Sequence, residues 1–256
     1  MNIYQHYRPE EHAFIDKVDG WKTEVAQQYS VRLTDFLNPR EQHITQQIIG
    51  NHPDVSLSFW GGSSYSERKR ALLHPPFVPV HQEDYKVSCF EVNYPAKFIK
   101  LEHKDILGSL MNLGVKREKY GDIIVSGETI QIAAAGEIAD YLSVNFEKAG
   151  RAAVSLKPLK GDLLASEEEY IEKSGTVTSL RLDAVMSEIY SISRSKASAL
   201  ISGSKVKVNW RTIENTSFEM AAGDHLSVRG YGRSKLISID GQTKKDKQRI
   251  SFGILK

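Results

Sequence analysis

In the last third of this 256-residue chain, cations recur at positions where a phosphate backbone could use them. Arg181 stands where a helical pattern begins, and Arg194 and Lys196 fall in the first turn after Ser193. Positive side chains at a helix start oppose the helix dipole. Their placement makes better sense if an anion also sits at that end, met by free backbone N–H groups. Lys205, Lys207 and Arg211 follow on a hairpin pattern. On a strand, Lys205, Lys207 and Asn209 point to one side and Val206 and Val208 to the other, so a basic face stands over an apolar one. Arg229, Arg233 and Lys235 extend the patch. The chemistry is neutralisation of a polyanion, with salt-sensitive affinity. An ordinary solvated surface can also be basic, so charge alone does not decide.

Catalytic patterns are weaker. There is no G-x-x-x-x-G-K-S/T phosphate loop and no H-E-x-x-H. Gly61-Gly62-Ser63-Ser64 is a poor phosphate cradle and reads better as a turn with a helix cap. His43, His52, His74 and His81 are scattered without ligand spacing, and the single cysteine cannot anchor a zinc ribbon. Cys89 lies in an alternating apolar run, the setting of a buried thiol rather than a nucleophile. No metal and no cofactor is expected.

The charge distribution supports the cation pattern. Residues 1–175 carry 20 Lys+Arg against 25 Asp+Glu, a net of −5, while residues 176–256 carry 14 against 7, a net of +7. An acidic body joined to a basic end is the footprint of a polyanion-binding module. Hydrophobic content of 40% and charged content of 26% suit a globular chain that needs no staples. One cysteine allows no internal disulfide, the polar start lacks a signal-peptide core, and no apolar run reaches membrane-span length. A cytoplasmic monomer without membrane contact is the expectation.

The elements that must position these residues fall into an α+β arrangement of three domains, 1–79, 80–165 and 176–256. In the first, a small α/β segment, Phe14, Val18, Trp21, Val25 and Tyr29 predict a helix from Pro9 to Tyr29. Asn38 and Pro39 start a second helix. Val55–Trp60 alternates as a strand, and the capping-box spacing at Ser64–Glu67 predicts a short helix through Leu73. The second domain reads strand (86–94), helix (104–113), two strands (122–125, 129–134), helix (137–148) and strand (152–156), the ferredoxin-like βαββαβ order. The acidic stretch from Ala165 to Tyr170 reads as a linker. The third domain reads as a strand lead from Thr176, helices 182–189 and 194–201, a strand at 206–209 with a partner at 211–213, a strand at 225–229, and tail strands at 235–239 and 249–255 around a basic turn at Lys244–Lys247.

The run LRLDAVMSEIYSISRSKASALISGSKVKVNW, followed by GDHLSVRGYGR, resembles the RNA-binding domain named after small-subunit ribosomal protein S-four. Its pattern is matched by Arg181-Leu182-Asp183, Ser193-Arg194-Ser195, Leu200-Ile201, Gly203, Val206, Val208-Asn209 and Gly223-Asp224. The resemblance implies an αα-β module that presents both helices and the hairpin to RNA. The expected RNA-binding set is Arg181, Leu182, Asp183, Ser193, Arg194, Ser195, Lys196, Lys205, Lys207, Asn209, Arg211, Arg229, Arg233 and Lys235. One departure is Asn209-Trp210 where the family has Asn-Gly. A type I′ turn needs positive φ twice, so another turn type is expected, with Trp210 either packed or stacked on a base.

The whole chain resembles the YlmH family of bacterial proteins, on Asn38-Pro39-Arg40, Gly61-Gly62 through Glu67-Arg68, His103 to Ile123, and Gly241–Lys245. This resemblance implies an RNA-binding protein associated with the ribosome and with cell-division gene neighbourhoods. A related small heat-shock protein with the same module binds the large ribosomal subunit carrying a stalled nascent chain. The implied partner is therefore RNA, ribosomal or transfer, on that subunit, in a translation quality-control role and without catalysis. Two other classes stay open. Pseudouridine synthases carry the same module, but they need a catalytic Asp in an R-L-D context, and the only such run here, Arg181-Leu182-Asp183, belongs to the module. A protein-interaction adaptor linked to cell division is the other. The strands of the central domain lack stacking aromatics. The Lys116-Arg117-Glu118-Lys119 cluster fits a phosphate contact and a solvated loop equally.

Overall fold

The computed structural model describes residues 3–165, 170–243 and 246–255. The linker residues 166–169 and two lysines of the basic tail turn, Lys244 and Lys245, lie outside the described residues. The chain divides into two compact units, Met1–Ser166 and Glu167–Lys256.

The first unit opens with α1 (His12–Gln28), β1 (Arg32–Leu37), α2 (Pro39–Ile49), β2 (Ser56–Trp60) and β3 (Lys69–His74). Asn38 accepts from Glu41 N while Glu41 receives Asn38 N, a reciprocal cap that fixes where α2 starts. The sheet order is β1-β3-β2, all antiparallel. The helix expected after Ser64–Glu67 is overturned, because Lys69–His74 is the central strand. Arg70 through His74 are all buried, so the segment shows no alternation, and a short apolar run of that kind fits helix and strand equally. Pairing on both edges decides it. A register shift between Leu33 and Phe36 blurs the period of β1 in the same way.

The rest of this unit contains β4 (Val87–Asn93), α3 (His103–Asn112), β5 (Tyr120–Ser126), β6 (Thr129–Ala135), α4 (Ala139–Asn145), the short pair β7 (Lys148–Ala149) and β8 (Ala152–Ala153), and β9 (Ser155–Pro158). The order β5-β6-β4-β9 places β6 between the first two strands of the βαβ unit, as the ferredoxin-like reading requires. Ile106, Leu110 and Leu142 of the helices join Phe90, Ile130 and Ile132 in one core. The opposite sheet face is covered too. Phe36 and Leu163 pack on Ile124, Ala133 and Ala135, and Gln131 accepts a hydrogen bond from Leu164 N.

Buried cations join the two sheets. Arg68 donates to Phe36 O at 2.9 Å and to Tyr120 O at 3.2 Å, and Arg70 donates to Thr34 O, Lys86 O and Glu137. Lys119 bridges Asp35 and Glu137, and Arg117 donates to Tyr120 O and Gly121 O. Two cations of the Lys116–Lys119 cluster are thus used inside the unit. Burial pushes the Glu137 carboxyl up, but the Lys119 and Arg70 hydrogen bonds outweigh it and hold it down at about 2. Arg68→Ala is expected to strip a charged donor from buried carbonyls and to cost about 2–4 kcal/mol. The check is a lower urea midpoint with an unchanged m-value.

The second unit contains β10 (Tyr170–Val177), α5 (Leu182–Ile189), α6 (Arg194–Ser202), β11 (Val206–Val208), β12 (Arg211–Thr212), β13 (His225–Val228), β14 (Gly232–Gln242) and β15 (Gln248–Leu255). Its strands form one antiparallel sheet ordered β10-β15-β14-β13-β11-β12. Val185, Met186, Ile189, Ala197 and Ile201 of the helices share a core with Val206, Val208, Leu226, Val228 and Leu236 of the sheet. The helices therefore cover one face of the sheet.

Candidate nucleic-acid interface

The two helix starts differ in what they offer an anion. At α5 the first amides are taken, since Leu182 N donates to Phe218 O at 2.8 Å and Asp183 N to Thr216 O at 3.3 Å. At α6 the Ser193 hydroxyl caps Lys196 N at 3.2 Å, and helix geometry leaves the amides of Arg194 and Ser195 without intrahelical acceptors. The side chains of Ser193, Arg194, Ser195 and Lys196 are all exposed. The α6 start is therefore the end where backbone donors and cations coincide.

Asp183 organises this end. Its buried carboxylate accepts from Arg181 Nε and Nη2 at 3.2 and 3.1 Å, and from Arg194 Nη2 at 2.9 Å. Burial pushes the Asp183 carboxyl up, and the two arginines more than offset this and hold it below the usual carboxylate range. Two guanidinium groups from two helix starts are thus fixed on one anion, each still about half exposed. Lys196 Nζ lies 5.4 Å from the centre of the Tyr231 ring. Tyr231 meets Tyr190 edge-on at 5.6 Å, and the Tyr190 hydroxyl lies 2.8 Å from Ser234 Oγ. A cation over an aromatic face gains a modest attraction that favours one direction for the ammonium.

The strand cations occupy a different layer. Lys207 pairs across to Ser227 and Ser227 to Arg233, while His225 pairs with Lys235. Arg229 N donates to Lys205 O at 2.9 Å, continuing the ladder at one end. Alternation sends Val206, Val208, Leu226 and Val228 to the core beneath the helices, so Lys207, Ser227 and Arg233 face away from them. The sequence reading gathers all these cations into one patch. The layers divide them into a helix-start cluster and a sheet-face row. Arg211 is exposed on β12, at the edge of the sheet.

Three residues of the expected set are structural. Leu182 is fully buried in the core. Asp183 is engaged by Arg181 and Arg194. Asn209, expected to face RNA, donates from Nδ2 to Asp224 Oδ1 at 2.7 Å and accepts His225 N on Oδ1 at 3.0 Å. Asp224 also receives Ala221 N at 2.8 Å, so the Asn209 and Gly223-Asp224 motifs lock the hairpin to the following turn. The expectation of another turn type at Asn209-Trp210 fails. Both have positive φ, 47° and 66°, as a type I′ turn demands. The half-buried Trp210 ring lies 5.2 Å from the His225 ring.

The Gly61-Gly62 turn packs closely against its own unit. A Cβ on Gly61 would come within 2.3 Å of Arg68 O, and one on Gly62 within 2.8 Å of Cys89 Sγ. Burial pushes the Cys89 thiol up to about 11. Among the described residues no His, Cys, Asp and Glu group is arranged to hold a metal, and no helix is long and apolar enough to cross a membrane.

Comparison with known proteins follows the same layout. Residues 10–78 match the family model "YlmH, N-terminal", residues 80–162 match "Putative RNA-binding domain in YlmH", and residues 180–226 match "S4 domain". The chain is 43% identical over 252 residues, 98% of each chain, to a Bacillus subtilis (strain 168) protein named "Ribosome-associated protein quality control protein P2". It is also similar to the solved structure named "Cell division protein ylmH from Streptococcus pneumoniae", with 32% identity and a TM-score of 0.54, covering 62% of this chain and 96% of that one. With all three family segments present in order and near full-length identity to a relative, this α+β chain belongs to the YlmH family.

Proposed function

We propose that this protein is a non-catalytic, cytoplasmic RNA-binding protein. It docks as a monomer on structured RNA, ribosomal or transfer, at the large ribosomal subunit, in a translation quality-control role. The observation that carries this reading is the start of α6. Open backbone amides, Arg194 and Lys196 converge there, and Asp183 fixes Arg181 beside them. That arrangement suits a phosphate backbone, where position matters more than base identity. The sheet-face row at Lys205, Lys207, Arg229, Arg233 and Lys235 adds sequence-independent attraction. The name of the Bacillus relative supports the ribosomal setting.

Sedimentation of the full chain with purified ribosomal subunits tests this. The protein is expected to travel with the large subunit at low salt and to be released as salt rises. Travel with neither subunit would contradict the ribosomal reading. Incubation with RNA followed by nucleoside mass analysis tests the catalytic alternative, and a modified nucleoside would overturn the non-catalytic reading.

A further inference from the structure

The most exposed large apolar side chain among the described residues is Phe98, 87% exposed on the loop between β4 and α3. The loop is a built turn. Ala96 N donates to Tyr94 O at 2.8 Å, and Phe98 N and Ile99 N donate to Pro95 O at 3.0 and 3.2 Å. Leu101 is buried, and Tyr94 and Ile99 pack on the same core. The chain is thus pinned on both sides of Phe98, and the ring is still left in water. Lys97 and Lys100 flank it, both exposed.

More cations lie near this end of the unit. The β7–β8 hairpin carries exposed Lys148 on its first strand and exposed Arg151 in its turn, and a Cβ on Gly150 would lie 3.5 Å from Asp105 near the start of α3. The nearby acids are partly committed. Glu102 pairs with Lys104 at 2.7 Å, and Asp105 accepts Glu102 N at 2.9 Å. The sheet face that a ferredoxin-like RNA binder would offer to bases is covered by Phe36 and Leu163, and Gln131 on it is engaged by the Leu164 backbone. A platform for a base has to lie elsewhere on this unit.

We propose that the Phe98 loop is a stacking site for one unpaired base of single-stranded RNA, with Lys97 and Lys100 meeting the flanking phosphates. An aromatic face between cations is the recurring solution for holding single strands without sequence preference. A pinned loop presents the ring with little ordering cost. The chemistry favours a polyanion over an apolar protein groove because both immediate charged neighbours are lysines. This inference rests on the reading that the protein binds RNA, and it adds a second, single-strand site to the structured-RNA surface.

The test uses the full chain, a labelled ten-nucleotide oligouridylate and a labelled RNA hairpin, followed by fluorescence anisotropy. Phe98→Ala is expected to weaken oligouridylate binding roughly 5- to 100-fold, the effect of losing one base–aromatic stack. Phe98→Trp should retain affinity, with indole emission quenched beyond that of the three native tryptophans. Phe98→Leu should bind as poorly as Phe98→Ala. A side chain this exposed can be replaced with little effect on folding. Wild-type affinity in Phe98→Ala, or Phe98→Leu binding as tightly as Phe98→Trp, overturns the proposal. So does intact oligouridylate binding combined with lost ribosome sedimentation, which would assign Phe98 to a protein partner. If the hairpin binds in an Arg194-dependent way while Phe98 variants change nothing, only the stacking site falls. If the wild-type chain binds neither RNA, the wider reading falls with it.

Discussion

A chain carrying Arg194→Ala and Lys196→Ala is expected to bind structured RNA roughly 10- to 100-fold more weakly, with its salt slope flattened by about 1.4–1.8. The slope follows from two lost phosphate contacts at about 0.7–0.9 each. Neither change should unfold the module. The Arg194 side chain is half exposed, and Asp183 keeps Arg181 when Arg194 is gone. Lys196 caps nothing with its side chain, because it is the Lys196 amide that bonds Ser193. With the Arg194 end of the pair half exposed and Arg181 still on the carboxylate, the loss of Arg194 costs little stability. Filter binding across a salt series reads both quantities. An unchanged affinity and slope would remove the α6 start from the interface.

The second large effect concerns sign. Asp183→Asn removes a negative charge from a basic surface, and Coulomb's law alone would tighten RNA binding. The opposite is expected, a loss of roughly 5- to 10-fold, because two freed arginines must each be re-ordered on binding, and the removed negative charge returns only part of that cost. The same variant should lose about 1–2 kcal/mol of stability, since the lost bonds serve a buried carboxylate but half-exposed partners. Thermal unfolding of the variant should fall by about 5–10 °C. The pH dependence follows from the direction of the shift. Asp183 is held below the usual carboxylate range, so its contribution is present above the ordinary pKa of about 3.9 and fades as pH falls through its lowered value. Asp183→Asn should remove that acid-side loss. Tighter RNA binding in Asp183→Asn would show that the carboxylate only screens charge.

The sequence announces the α6 site more clearly than most of what surrounds it. Ser193 caps the helix and the cations follow it directly, so local chemistry and local structure agree there. Asp183 is legible as a helix-start residue, but its partner Arg194 lies eleven positions away, a distance no periodicity argument spans. The internal role of Asn209 is hidden as well, because its amide bonds Asp224, fifteen positions on. The division of the cations into two layers also stays hidden, because alternation places Lys207 opposite Val206 without saying where the helices pack. The β3 misreading has a similar origin. A strand buried on both faces carries no alternating signal, and only pairing with β1 and β2 distinguishes it from a helix. Phe98 goes unmarked for the converse reason. A phenylalanine between Pro95 and Leu101 reads as core until its exposure is known.

Ultraviolet crosslinking in cells tests the central claim most directly, with the bound RNA sequenced and the crosslinked peptides mapped. RNA from the large ribosomal subunit or tRNA should be enriched. Crosslinks should fall on the peptides carrying Arg181 and Arg194–Lys196, and they should be lost in the double variant. No RNA enrichment over an uncrosslinked control, or crosslinks confined to residues before 170, would contradict it.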